Sequence, residues 1–389
     1  MVIGTGAVYF VVVALKPISN EFDWPRAIPS TAYALQYFGG GIGGIFMGYC
    51  LDRAGLGIPA LLGACMIGIG AILTAHIEAP WHLYLIYGVM MGFLGRAALF
   101  TPLTANITRW FEHKKSVAVG IVGSGQALAG AVWPPIFQHF FNSVGWRETA
   151  TWYGVFCLLT MLPLVLILRQ KPPAPSAYPH NGIINDHEVV RGEPRQIMSA
   201  NRLQLILMVA SIGCCVAMAL PLAHLVAHVS DLGHDSARGA EILSVTLTCA
   251  AIGSFFGVGF LGQRFGGLCT LFIFSVTQML FLLALAFSEN LITIYLVAAM
   301  FGVGYGGILP SYPVIVREYL PSSEAGRRTA IIILSASGGM AIGSWLGGTV
   351  FDLTGSYNPA FLIGVVFNFA NLVIIGALIL RLRSRTIGL

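Results

Sequence analysis

The sequence predicts an all-α membrane protein in which twelve transmembrane helices form two pseudo-symmetric six-helix bundles. Three observations lead there: a composition suited to lipid, twelve apolar runs of spanning length, and an internal repeat. Of 389 residues, 56% are hydrophobic and only 10% charged, and the mean hydropathy is +0.80. A water-soluble domain of this size does not sustain that balance, so lipid is the solvent for most of the chain.

Runs of roughly 20 apolar residues, the length that crosses a bilayer as a helix, follow one another along the chain. They are centred near Val11, Phe38, Gly68, Gly95, Leu128 and Leu158, then near Val216, Ala251, Met279, Gly304, Met340 and Val366. None alternates with period two over about 10 residues, as a barrel strand does. The first run begins almost at Met1 with no basic n-region or small-residue cleavage site, so it is expected to remain as helix 1. Between the sixth and seventh runs lies one long polar stretch, Arg169 to Arg202, which opens Lys171-Pro-Pro-Ala-Pro and carries Asn181, Asp186, His187, Glu188 and Glu193. Its Pro-rich start favours extended, semi-rigid chain. The expected units are therefore bundle 1–168, linker 169–202 and bundle 203–389.

Basic residues set the orientation, because cytoplasmic loops collect Lys and Arg. With the N-terminus inside, the cytoplasmic segments hold Arg53, Arg109, Lys114, Lys115, Arg169, Lys171, Arg191, Arg195, Arg202, Arg264, Arg317, Arg327, Arg328, Arg381, Arg383 and Arg385. The outer segments hold Lys16, Arg26, Arg147 and Arg238. Sixteen against four places both termini and the linker in the cytoplasm, the host membrane being the cytoplasmic (inner) membrane. The net charge of +5 then reports orientation and calls for no nucleic-acid partner. The seven cysteines fall in or at the ends of apolar runs with no Cys-x-x-Cys spacing, and read as packing residues.

The halves resemble each other. Gly48-Tyr-Cys-Leu-Asp-Arg-Ala-Gly55 is echoed by Gly259-Phe-Leu-Gly-Gln-Arg-Phe-Gly266, Pro102 and Arg109 by Pro310 and Arg317, and Lys114-Lys115, Ser124-Gly125 and Gly130 by Arg327-Arg328, Ser337-Gly338 and Gly343. The offset stays near about 210 residues. Parallel repeats of this kind place a site near the midplane, between the halves. Small residues supply the close contacts such halves need: Gly39, Gly40, Gly41, Gly43, Gly44 and Gly48 in helix 2, with similar sets in helices 5 and 10.

Gly48-x-x-x-Asp52-Arg53-x-Gly55 resembles the signature between helices 2 and 3 of the major facilitator superfamily. Asp52 sits at the negative end of helix 2, where a carboxylate needs a cation or another helix's N-terminus. The resemblance implies that this partner lies in the other half and latches one access state, with Arg53, Arg109, Lys115, Arg264 and Arg317 as the basic members of the gating set. Arg109-Trp110-Phe111-Glu-His-Lys114-Lys115-Ser-Val-Ala-Val-Gly120-Ile-Val-Gly-Ser-Gly125 is similar to the helix 4 to helix 5 signature of the monocarboxylate porter and oxalate:formate antiporter branch. Phe22-Asp23-Trp24-Pro25-Arg26-Ala27 resembles that branch too. These likenesses imply a monomeric transporter that works by alternating access. The chain departs from the branch in carrying no arginine in helix 8 and no lysine in helix 11.

An ionisable residue at membrane depth costs several kcal/mol and marks a functional site by default. Arg96 lies at the centre of helix 4, while its repeat mate in helix 10 is Gly304. That asymmetry favours a binding role, since a guanidinium offers a fork of donors suited to a carboxylate; the bland reading has it capping helix carbonyls. The sixteen Asp and Glu residues map to loops, the linker or helix ends, leaving no midplane carboxylate to shuttle protons. Proton coupling would then run through His224 and His228, one turn apart on helix 7, or through the solute; the bland reading of both is packing. Tyr9, Tyr37, Gln36, Gln126, Tyr305 and Ser337 complete the candidate lining with Arg96, alongside Tyr33, Ser124 and Ser254.

Three readings stand at this point. The first is transport of a small organic anion, a mono- or dicarboxylate. The second is transport of a larger amphipathic or neutral solute, as in vitamin uptake or drug efflux, although helix 5 lacks the Gly-x-x-x-Gly-Pro-x-x-Gly-Gly run of such exporters. The third, a membrane enzyme or receptor, has no nucleophile motif, metal spacing or phosphate loop behind it, and no cofactor is expected. Two experiments follow. Cysteines placed in 169–202 should react only with reagents that reach the cytoplasm, and labelling from outside intact cells overturns the orientation. Asp52→Asn should slow exchange while leaving solute affinity unchanged; a pure affinity loss at full maximal rate sinks the latch role.

Overall fold

The computed structural model describes residues 1–110, 115–168, 198–256, 261–321 and 324–387. No strand occurs among them. Twelve long helical stretches follow the order of the apolar runs: α1 (Val2–Phe22), α2 (Ala27–Ala54), α3 (Gly57–Thr74), α4 (80–110), α5 (Lys115–Val144), α6 (Trp146–Leu168), α7 (Ala200–Asp231), α8 (Ser236–Phe256), α9 (Gly262–Leu285), α10 (Leu291–Tyr319), α11 (Ala325–Thr354) and α12 (Asn358–Ile387). Residues 169–197, most of the expected linker, lie outside the described residues.

Among the described residues, nine of these helices are long and apolar enough to cross a membrane. The other three are α2, α5 and α8, of 28, 30 and 21 residues, or about 30–45 Å at 1.5 Å per residue. They have the length, and their glycines, serines and threonines dilute the apolar content. The reason is positional: α2 packs along α11, and α5 along α8, so these helices face the seam between the halves.

Local chemistry fixes the helix ends. Asp23 adopts a left-handed conformation (φ 53°) after α1, which a short polar side chain tolerates. The Ser19 hydroxyl donates to the Trp24 carbonyl at 2.6 Å, closing that turn, and Pro25 disfavours helix continuation at Trp24. Gly55 and Gly355, at φ 73° and 70°, end α2 and α11 in conformations other residues adopt only with strain.

Helices in lipid gain little from mutual hydrophobic attraction, so they hold together by close packing and hydrogen bonds. A β-carbon on Gly302 of α10 would collide with the Thr246 carbonyl of α8, and one on Gly343 of α11 with the Val216 carbonyl of α7. Glycine is thus required at these crossings by contact, without any special backbone angle. We expect Gly302→Val to destabilise the protein by about 1–3 kcal/mol. Gly338→Ala, at a position with open space around it, should leave stability unchanged or slightly raised. Thermal unfolding in detergent checks both, and equal melting of the two variants refutes the packing account.

Candidate functional site

α4 reaches mid-bundle by leaving the α-helical register. After Pro80–Tyr84, the twelve residues Leu85–Arg96 wind as a π-helix before Ala97–Trp110 resumes; such segments are rare and gather at functional sites. A β-carbon on Gly92 would stand 3.0 Å from the backbone of Gln36, so α2 and α4 meet backbone to backbone here. Arg96 closes the π segment. Its guanidinium carbon lies 4.1 Å from the centre of the Tyr37 ring, a cation–π contact, and its side chain runs past Gly40, where a β-carbon would be 3.3 Å from Nη1. Its Nε is buried with no hydrogen-bond partner.

Three more tyrosines join this place. Tyr33 lies beside Tyr37, ring centres 4.8 Å apart. Tyr9 of α1 sets its hydroxyl against Gly130 of α5, 2.7 Å from where a β-carbon would stand. Tyr305 of α10 packs on Phe301 at 5.7 Å and falls within electrostatic reach of Tyr9 and Tyr37. Arg96, Tyr9, Tyr37 and Tyr305, far apart in sequence, therefore share one neighbourhood to which both halves contribute. Gln36 is buried nearby with its Oε1 unpartnered, and Gln126 is half-buried on α5. Ser337 turns its hydroxyl to the Ile333 carbonyl at 3.1 Å and lies against Gly41, in the α2–α11 contact. The side chain of Ser124 lies outside the described residues. A wide cleft of about 790 Å³ opens elsewhere, between α7 and α12 near Leu205 and Ile374; its lining is apolar apart from Arg381 and includes none of the tyrosines gathered around Arg96.

The other expected residues separate. His224 and His228 are buried: His224 Nε2 meets the Ser344 carbonyl at 2.8 Å and its ring stacks on Tyr357, while His228 packs against Tyr357 and Phe361. Their described contacts run to α11 and α12. Of the gating set, Arg53 lies over Tyr49 at 4.5 Å, Arg264 is 5.6 Å from the Phe265 ring, and Arg317 is exposed in the last turn of α10. The side chains of Asp52, Arg109 and Lys115 lie outside the described residues.

Sequence reasoning missed a polar seal between the halves at the end of the bundle distal to the chain termini. Arg26, in the α1–α2 turn, forks onto Asp231 at the end of α7, with one arm at 2.8 Å, and donates to the Tyr357 hydroxyl at 3.0 Å. Lys16 joins Asp231 at 2.9 Å. Burial works against the charge of Arg26, but its hydrogen bonds to Asp231 and Tyr357 outweigh that and raise its pKa above the ordinary value. Further along the seam Gln138 donates to Ser236 at 2.9 Å, Ser244 to the Ala131 carbonyl, and Ser344 to the Ser30 carbonyl at 2.9 Å. The four basic residues assigned outside are all ion-paired, Arg147 with Glu21 and Arg238 with Glu241 besides the two on Asp231.

Comparisons with known proteins agree with this architecture. The chain is 26% identical over 373 residues to monocarboxylate transporter 13 of Rattus norvegicus, covering 93% of this chain and 81% of that protein. It is 24% identical over 370 residues to the MFS-type transporter YcxA of Bacillus subtilis (strain 168), covering 91% and 86%. Among solved structures, a bacterial homologue of the human lysosomal transporter Spinster, inward-facing and occupied, superposes with TM-score 0.72 at 14% identity over 97% of this chain and 94% of that one. A variant of the nucleoside transporter NupG gives 0.73 at 12% over 97% of each. The relatives are named as transporters, not enzymes. The Major Facilitator Superfamily model matches residues 1–287 and 205–388, together nearly the whole chain, and the protein accordingly belongs to the major facilitator superfamily of membrane transporters.

Proposed function

We propose that this transporter moves a small organic anion across the cytoplasmic membrane by alternating access, with Arg96 compensating the anion's charge. The observation that carries the reading is Arg96 itself: held over Tyr37, with a buried, unpartnered Nε, in a chain whose carboxylates all map to loops, the linker or helix ends. A low-dielectric site with one unneutralised cation favours a ligand that brings the countercharge. The solute carboxylate accepts parallel hydrogen bonds from the guanidinium, and Tyr9, Tyr37 and Tyr305 orient the remainder, with Gln36, Gln126 and Ser337 along the same path. The name of one relative, monocarboxylate transporter 13, supports the same reading. In this reading the bundles 1–168 and 203–389 rock about the site as a monomer, the termini and linker face the cytoplasm, and the distal seal closes the outer side. His224 and His228, packed under α11 and α12, are poorly placed to carry a coupling proton, so coupling, where present, rides on the solute.

The tyrosine-rich wall also suits a larger neutral solute, and one experiment separates the two. Lysine at position 96 keeps charge and loses the fork; glutamine loses both. Removing one partner of a charge-assisted pair in a dry cavity costs on the order of 2–5 kcal/mol, or at least about 30-fold in affinity. Binding of candidate anions and neutral amphipaths to folded, purified Arg96→Gln and Arg96→Lys proteins is the test. We expect Arg96→Gln to lose anion binding and Arg96→Lys to retain part of it. Anion affinity within a few-fold of the parent in Arg96→Gln makes Arg96 structural and leaves the neutral-solute reading.

A further inference from the structure

We infer that Asp352 is a latch: a carboxylate on one half that caps a helix of the other and holds the distal side shut. The N-cap of α2 is Arg26, whose own side chain makes no capping bond. The cap comes from the opposite half. The backbone N–H groups of Arg26 and Ala27 donate to Oδ1 and Oδ2 of Asp352 at 2.7 and 2.8 Å, across 326 and 325 residues of chain. Both carboxylate oxygens are thus engaged by the first free amides of α2, the donors every helix start leaves open.

Position makes this contact conditional. Asp352 lies in the last turn of α11, where its own helix dipole opposes a negative charge; the start of α2 offers the opposite field. Separation of the halves would leave the carboxylate at an unfavourable terminus and α2 without a cap, so the interaction favours one arrangement of the halves over the other. The surroundings reinforce it. The Arg26 guanidinium lies over the Phe351 ring at 3.8 Å while reaching Asp231 and Tyr357, so one residue ties the start of α2 to α7, α11 and the α11–α12 turn. A β-carbon on Gly348, one turn before Asp352, would stand 2.8 Å from the Ala27 backbone, which brings the two helices close enough for the cap to form. Lys16 braces Asp231 from α1.

The latch is tested by spin–spin distances between labels at exposed positions in distal turns of the two halves, Ser143→Cys and Glu289→Cys. The labelled parent should show one short-distance population. In Asp352→Ala and Arg26→Ala a second, longer population should grow at least about tenfold, the change that 1.4 kcal/mol produces. The double variant should open at least as far as the larger single variant, because the Arg26 side chain and the Asp352 carboxylate hold the same seam through different contacts. Asp352→Asn keeps the size and one acceptor oxygen, and should give a smaller shift in a protein whose melting curve proves it folded. Distance distributions that superpose on the parent's in Asp352→Asn and in every folded alanine variant make the contact a static brace and overturn the proposal. The readout needs no solute, so it stands or falls independently of the anion reading.

Discussion

Everything in this fold depends on backbone meeting backbone in a solvent that offers helices no reason to associate. In lipid, contact enthalpy and hydrogen bonds replace the hydrophobic effect, and contact requires that side chains be absent where helices cross. The glycines at Thr246, Val216 and Gln36 crossings meet that requirement. They also set what the molecule can do: interfaces without interlocking side chains slide and part at low cost. Polar groups can then bias such interfaces from their ends, as Arg26, Asp231 and Asp352 do.

Much of the fold was legible because the bilayer imposes a length and a composition on each helix. The repeat was legible because duplicated loops keep their glycines and basic residues at one offset. The tyrosines and Arg96 were legible as a set because each lies mid-run on helices that line the seam, and depth in the membrane can be read from sequence. Direction around the helix axis was not. Ser337 shares that depth, yet its hydroxyl bonds to its own helix. The π segment of α4, Leu85–Arg96, was likewise not legible, because an apolar run gives the length of a helix and not how its turns are wound.

The distal seal shows a different kind of blindness. The rule applied to Asp52, that a carboxylate at a helix C-terminus needs help from elsewhere, holds equally for Asp352 in the last turn of α11. Asp52 stood inside a recognisable motif and Asp352 did not. The partners of Asp352 and Asp231 lie more than 200 residues away along the chain, and nothing local announces them. His224 and His228 stand out as titratable side chains, but their described neighbours are rings and a carbonyl. Their place beneath Tyr357, which Arg26 also touches, makes them part of the scaffold behind the seal.

The π-helical stretch of α4 has a consequence for how this protein can vary through descent. A single-codon deletion within Leu85–Arg96 would not break the helix, because the widened turns hold a residue more than an α-helix needs. The widened turns would tighten to α-helical ones and absorb the loss, leaving Arg96 on the face it shares with Tyr37, whereas the same deletion in a regular α-helical stretch would turn everything beyond it by about 100°. Lineages of this chain can therefore shorten α4 here and still keep the charge at mid-membrane, a tolerance of length that a regular helix would not give.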